Sequence, residues 1–341
     1  MTKRILIINQ KFTSNLGDIL IGQAMEKLFA EYEVEFLPYC SNDLLLNRRK
    51  KYWKLIDKLK LTTLVKDIIY GIRVNKLLKN KKYDLAIIGG GELLSANLDF
   101  NSAMLQWTKR LSKKKIPVIV AGISGNAVSK RIGKRYIEAL KKCRFISVRD
   151  RVTQKIVEED YHFHTEFCPD FVFSCNHINN IEKENLITVQ IYSYDYVKKS
   201  VSIDTKEKYY EMIYSMAQSS VTNGEKILYS YTDSDDKTAT LDFKKYILEK
   251  HGKEIDVIDI CSPEKLIEFL AKTKKIISGR MHPMIVGLLC ENEVIPYITN
   301  DKIRCFQEEW LPGAKSDIYK AGLEVERLIM KIKSQFLSFD T

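Results

Sequence analysis

The sequence predicts an α/β protein built from two doubly wound, Rossmann-like domains, and three observations predict it. Short, continuously apolar runs such as Ile5-Leu6-Ile7-Ile8, Leu85-Ala86-Ile87-Ile88 and Val118-Ile119-Val120 have the character of parallel strands covered on both faces. These runs alternate with stretches of helical periodicity nearly throughout, as strand–helix–strand units require. The chain has 341 residues and is 45% hydrophobic, enough to bury two cores of ordinary size.

In order, the expected strands are 4–9, 33–37, 84–88, 117–121, 145–148 and 165–168, then 186–192, 226–231, 255–259, 275–278 and 294–298. The first helix is expected over 18–31, where Leu20, Ala24, Met25 and Leu28 share a face. Another is expected over 263–273, opened by Ser262 as N-cap with Pro263 in the first turn. A polar interval at 176–185 separates the halves, giving domains 1–178 and 179–321. Residues 322–341 read as a final helix that packs back on the first domain. No apolar run approaches the roughly 20 residues of a membrane span, and the short apolar start reads as a strand rather than a signal peptide. Seven scattered cysteines form no CxxC pair, so they are expected as reduced core thiols with no metal site.

Charge is distributed unevenly. Residues 44–82 hold thirteen Lys and Arg against Asp57 and Asp67, a surplus equal to the +11 of the whole chain. Tyr52, Leu55, Ile56 and Leu59 follow helical spacing there, and Trp53 lies among them. Arg48, Arg49, Lys50, Lys51, Trp53, Lys54 and Lys58 are therefore expected to meet an anionic membrane surface. A merely solvated helix is the plainer alternative, and nucleic acid is the disfavoured polyanion.

In open α/β sheets, ligands bind beyond the carboxyl ends of the strands. The unusual residues fall there: Asn15-Leu16-Gly17-Asp18, Gly89-Gly90-Gly91-Glu92, Gly122-Ile123-Ser124-Gly125, Arg149-Asp150, Pro169-Asp170 and Ser278-Gly279-Arg280-Met281-His282-Pro283. Each has a structural alternative. Asp18 could be a helix N-cap, the three glycines a tight strand-to-helix turn, and Arg149 and Asp150 a mutual pair. Asp233-Ser234-Asp235-Asp236 reads as an exposed loop rather than a metal cluster. The 279–283 segment is the most informative. It joins a helix N-terminus to an Arg fork that suits phosphate or carboxylate, beside a His able to exchange a proton near neutral pH.

Taken in order, these motifs resemble the polysaccharide pyruvyl transferase family, together with Ser147, Pro296, Asp301 and Lys302. The resemblance implies a fold like that of GT-B glycosyltransferases, with two domains facing a cleft. It also implies transfer of pyruvate from phosphoenolpyruvate to a sugar of a cell-surface polysaccharide or its lipid-linked precursor, as a ketal. On it, Arg149, Ser278, Gly279, Arg280, Met281 and His282 bind the donor. The cleft and acceptor side falls to Asn15, Gly17, Gly90, Gly91, Ser124, Gly125, Asp170 and Lys302. His282 is expected as acid, and Asp18 or Glu92 as the group handling acceptor hydroxyls. Phosphoenolpyruvate is then a co-substrate, with no cofactor or metal, and the enzyme works in the cytoplasm at the inner membrane face, as a monomer or homo-oligomer. Two departures, Asn126 where proline is common and Pro283 where a small residue is usual, bear on acceptor fit. The competing readings are a GT-B-type glycosyltransferase using a nucleotide sugar and an inactive membrane-associated binding protein.

Overall fold

A computed structural model describes residues 2–40, 61–175, 181–198, 200, 202–313 and 315–338. The chain divides into two compact units: Met1–Phe12, Ile21–Phe171 and Glu324–Thr341 form one, Thr13–Leu20 and Val172–Leu323 the other. The basic residues Arg48, Arg49, Lys50, Lys51, Trp53, Lys54 and Lys58 lie outside the described residues. Among the described residues, no helix is long and apolar enough to cross a membrane.

The first sheet runs β2-β1-β3-β4-β5-β6, all parallel, from β1 (Arg4–Asn9), β2 (Glu33–Pro38), β3 (Leu85–Leu94), β4 (Val118–Gly125), β5 (Phe145–Val148) and β6 (Glu166–Phe167). Ile5 to Ile8 of β1 are wholly buried, as the apolar run requires when helices cover both faces. Those helices are α1 (Leu16–Leu28), α2 (Thr62–Leu77), α3 (Leu98–Lys113), α4 (Lys130–Leu140) and the short α5 (Arg151–Lys155). Trp107 of α3 is buried in the core and donates its indole N–H to the Tyr39 carbonyl at 3.0 Å.

Two expectations are corrected at this sheet. The three glycines do not make a tight turn: β3 continues through Gly89-Gly90-Gly91-Glu92, with Gly91 opposite Ile123 and Glu92 opposite Ser124. Gly90 has φ +70°, and a Cβ there would stand 2.1 Å from Ile21 Cγ2, so both conformation and space demand glycine. Nor is Asp18 the helix N-cap. The helix starts at Leu16, and Asn15 Oδ1 accepts from the Gly17 N–H at 2.9 Å.

The second sheet runs β11-β10-β7-β8-β9, again all parallel, from β7 (Leu186–Gln190), β8 (Lys226–Ser230), β9 (Asp256–Ile258), β10 (Lys275–Ser278) and β11 (Glu293–Pro296). Its helices are α6 (Tyr194–Val197), α7 (Lys206–Ser219), α8 (Ser234–His251), α9 (Pro263–Lys272), α10 (Met281–Leu289) and α11 (Asp301–Trp310), while the last helix, α12 (Lys315–Phe336), starts in this unit and belongs to the first from Glu324 on. Aromatic packing dominates this core: Tyr210 stands edge-on to Phe243 at 5.2 Å, and Tyr229 lies 5.3 Å from the same ring. At α9, Ser262 accepts from the Lys265 N–H and Pro263 occupies the first turn, as the sequence predicts. All seven cysteines are free thiols, and burial pushes those of Cys40 and Cys143 up to about 12.

Candidate active site

In the first unit the motif residues meet at the carboxyl ends of β3, β4 and β5. Ser147 Oγ accepts from the Gly122 N–H at 2.9 Å, and Thr153 Oγ1 from the Gly125 N–H at 2.8 Å. Asp150 is the N-cap of α5, accepting from the Thr153 N–H at 2.7 Å, so it does not pair with Arg149. Arg149 instead donates from Nε and Nη2 to Ser124 Oγ, at 3.1 and 2.8 Å, and from Nη1 to Asp170 at 2.5 Å. Both Arg149 and Asp170 are buried, so this ion pair sits at the strand ends largely out of water. Glu92 accepts from Asn126 Nδ2 at 2.9 Å, which ties the end of β3 to the residue after Gly125. Gly90, Gly91, Ser124, Gly125 and Asp170 thus share one locality with Arg149 and Glu92.

In the second unit the corresponding locality is the junction of β10 and α10. Ser278 Oγ accepts from the Arg280 N–H at 3.0 Å and donates to Gln190 Oε1 at 3.1 Å, fixing the bend at Gly279. Arg280 precedes α10 as its N-cap residue, and Met281, His282 and Pro283 form the first turn. Pro283 suits that turn because the N–H it lacks has no intrahelical acceptor there. The Thr13–Leu20 segment belongs to this unit, with the Leu16 N–H donating to the Thr232 carbonyl at 2.9 Å. It brings Gly17 so close to His282 that a Cβ on Gly17 would lie 2.1 Å from His282 Nδ1. Gly17, in the segment that also carries Asn15 and Asp18, therefore lies against the histidine of a motif more than 260 residues away in sequence. Lys302 lies on α11, half-buried.

The acidic run 233–236 corrects an expectation. It is the start of α8 rather than an exposed loop: Asp233 caps the helix, and Asp236 is 1% exposed. Asp236 Oδ2 accepts from Arg280 Nε at 2.8 Å, while Oδ1 accepts from the Ser193 N–H at 3.1 Å. Burial raises the Asp236 carboxyl above its ordinary value, and the Arg280 charge pulls it partly back. Burial works against the Arg280 charge as well, yet Asp236 holds that guanidinium more firmly protonated than a free arginine. The guanidinium carbon lies 3.8 Å from the centre of the Tyr192 ring, which stacks in turn on Tyr196 at 6.1 Å. With Nε bonded to Asp236 and one face on Tyr192, the two Nη groups of Arg280 have no hydrogen-bond partner among the described residues. Tyr196 donates to Asp235 at 2.5 Å, a bond that pushes its hydroxyl up to about 12.

Tyr192 and Tyr196 are neighbours of Arg280 that sequence reasoning missed, and Asp236 it named only as part of an exposed loop. The signal for Asp236 was present, because the 233–236 run follows strand 226–230 at its carboxyl end, where the other motifs also fall.

An α/β fold of two parallel sheets is shared with solved structures of low sequence identity. A UDP-GlcNAc 2-epimerase of Methanocaldococcus jannaschii, in complex with UDP-GlcNAc and UDP, superposes with a TM-score of 0.55 at 12% identity, covering 97% of this chain and 99% of that one. A putative UDP-N-acetylglucosamine 2-epimerase of Listeria monocytogenes gives 0.58 at 9% identity, over 100% and 98%. HepE of Anabaena, in complex with UDP-glucose, gives 0.52 at 7%, over 98% of each chain. These likenesses establish the GT-B-like fold class. No curated protein matches the sequence. The sequence profile of the polysaccharide pyruvyl transferases matches residues 15–301, and the chain belongs to that family of transferases.

Proposed function

We propose that the protein transfers the pyruvyl group of phosphoenolpyruvate to two hydroxyls of one sugar, forming a ketal and releasing inorganic phosphate. Membership of the family supports the reaction class. The observation that carries the donor assignment is Arg280: a guanidinium anchored by Asp236 and Tyr192, with both Nη groups available, two residues from His282. Such a fork matches the oxygens of a phosphate or carboxylate, and the first turn of α10 adds the positive end of a helix.

In the proposed sequence C3 of the enol accepts a proton and C2 becomes electrophilic. One sugar hydroxyl attacks C2 and gives up its proton. The C2–O bond to phosphate then breaks, and a second hydroxyl attacks the same carbon and loses its proton. One proton ends on C3, and the other leaves with phosphate. His282 is assigned as the acid at C3 or phosphate, and Asp18 or Glu92 as the acceptor of hydroxyl protons. Ser278, Gly279 and Met281 shape the donor loop. Asn15, Gly17, Gly90, Gly91, Ser124, Gly125, Asp170 and Lys302 fall to the acceptor side, and Arg149 is a second donor-side cation. The acceptor class is a sugar of a surface polysaccharide or its lipid-linked precursor, met at the cytoplasmic membrane face.

A second reading, glycosyl transfer from a nucleotide sugar, draws on the nucleotide sugars bound in solved structures of like fold. Thermal unfolding with added phosphoenolpyruvate and with a panel of nucleotide sugars separates the two, since a ligand bound to the folded state raises stability with concentration. Stabilisation by phosphoenolpyruvate that disappears in Arg280→Ala supports the proposal. Stabilisation by a nucleotide sugar alone overturns it.

A further inference from the structure

The second helix, α2, is amphipathic in the inverted sense. Leu61 at its start, then Leu64, Ile68 and Ile72, follow one another at intervals of three or four residues and form one line along the helix, with Ile69 beside it. These five aliphatic side chains are 38–66% exposed. Two charged residues in the middle of α2 are engaged by neighbouring helices instead. Lys66 pairs with Asp99 of α3 at 2.5 Å, and Asp67 accepts from Arg135 of α4 at 2.9 and 2.5 Å. Tyr70, Gly71 and Val74 form the buried side. Mid-helix charges engaged by neighbouring helices and aliphatics turned outward are the reverse of a water-facing helix.

Charge defines one end of this face. The start of α2 lies at the start of α3, through Lys66 and Asp99, and its middle lies at Arg110, whose Nη2 a Cβ on Gly71 would approach to 2.8 Å. The two helices therefore run in the same direction and end together. At that shared end stand Lys76, Lys79 and Lys82, and Lys113, Lys114 and Lys115, all exposed and none in an ion pair among the described residues. A row of aliphatics leading into six uncompensated lysines fits a surface that is apolar within and anionic at its rim.

We infer that α2 and the lysine cluster are a docking surface for an anionic lipid bilayer, with Leu61, Leu64, Ile68 and Ile72 entering the acyl boundary and the lysines meeting the headgroups. A second copy of the chain fits less well. Asp67, the one carboxylate of α2, is engaged by Arg135, so a self-complementary contact through this helix brings the lysines no open carboxylate from it. The surface is independent of the chemistry assigned to Arg280, and vesicles lacking donor and acceptor test it alone.

The experiment is sedimentation of the full chain with vesicles of phosphatidylglycerol and phosphatidylcholine, and with phosphatidylcholine alone, beside sedimentation equilibrium without lipid. The wild-type protein should partition onto the anionic vesicles, and at least about tenfold less onto the neutral ones. Leu64→Ser/Ile68→Ser/Ile72→Ser should lower partitioning on the order of a hundredfold, and Lys76→Glu/Lys79→Glu by about thirtyfold or more. All five positions are exposed, so melting should be unchanged. Should the triple variant fail to fold, Ile72→Ser, at the most exposed of the aliphatics, should still lower partitioning by roughly fivefold. Three results overturn the inference: no binding to anionic vesicles, binding that the serine variant retains in full, or a dimer that the serine variant abolishes.

Discussion

Replacing Asp236 with asparagine tests whether Arg280 is held ready by its buried partner. Both carboxylate oxygens are engaged, Oδ2 by Arg280 Nε and Oδ1 by the Ser193 N–H. Asparagine is nearly the same size but offers one acceptor oxygen, so its amide NH2 must face one of those two donors. One bond is lost, and if Oδ1 stays with Ser193 it is the charge-assisted one to Arg280. A hydrogen bond to a charged group contributes about 1.5–3 kcal/mol, which corresponds to roughly 10–150-fold in donor affinity if all of it positions the guanidinium. The assay is calorimetric titration with phosphoenolpyruvate on wild type, Asp236→Asn, Arg280→Ala and the double variant. If Asp236 acts through Arg280, the asparagine change should cause no further loss in the Arg280→Ala background. pH supplies a second readout. Burial raises the Asp236 carboxyl above 3.8 in the folded state. Its protonated form therefore favours folding below that value, and this contribution is lost as pH rises through the raised one. The grip on Arg280 develops over the same window, so donor affinity should climb there in wild type and climb less in Asp236→Asn. Equal affinities in the two proteins across that window would refute the reasoning.

Gly17→Ala should displace the His282 ring, because the new Cβ would lie 2.1 Å from Nδ1 and 2.6 Å from Cγ. Phosphate release in the presence of acceptor should fall at least about tenfold, with the donor-dependent rise in Tm retained. Ser124→Ala should leave two donors of a buried guanidinium without their acceptor, lowering stability by about 1–3 kcal/mol in denaturant unfolding. Glu225 accepts from the backbone N–H groups of Asn223 and Thr222 and pairs with Lys275, and these hold its carboxyl down at about 2. Its depressed value makes the contribution to stability full above 4.5 and lost as pH falls through 2. Glu225→Gln should therefore lower Tm at pH 7, and the deficit should close as scanning calorimetry is repeated at lower pH.

The strands were legible because burial on both faces writes itself as unbroken aliphatic runs, and β1, β5 and β10 match their expected spans to the residue. Where side chains vanish, that signal vanishes too. Gly89 to Gly91 have no side chain, and Gly122 to Gly125 only that of Ile123, to mark them as strand, yet β3 and β4 run through them. The location of motif residues at strand ends follows from topology, and it led to Arg149, Arg280 and His282. Partnership between distant segments does not follow, since no local pattern links Asp236 to Arg280 or Gly17 to His282. An acidic run after a strand reads equally well as a loop or a helix start. Its fourth residue became interpretable only when α8 carried it to the guanidinium.

Arg149 and Arg280 occupy the same kind of position, one and two residues after a parallel strand, with Arg149 just before a helix N-cap and Arg280 as the N-cap itself. Their fates differ because of what the neighbouring strands supply. Beside Arg149, β4 presents Ser124 and the turn after β6 presents Asp170, so all three nitrogens of its guanidinium are engaged and the side chain is buried. Beside Arg280, α8 supplies one carboxylate to Nε and Tyr192 supplies a ring face. A ring can hold the plane of a guanidinium without using its N–H groups, and the side chain keeps 19% of its exposure. An anion arriving at Arg149 must compete with a carboxylate already 2.5 Å away, whereas one arriving at Arg280 meets free Nη groups on an already oriented plane. Binding is favoured where the orientation is fixed in advance and the donors are unsatisfied. On that ground the proposed anion site rests on Arg280, the guanidinium whose Nη groups are open.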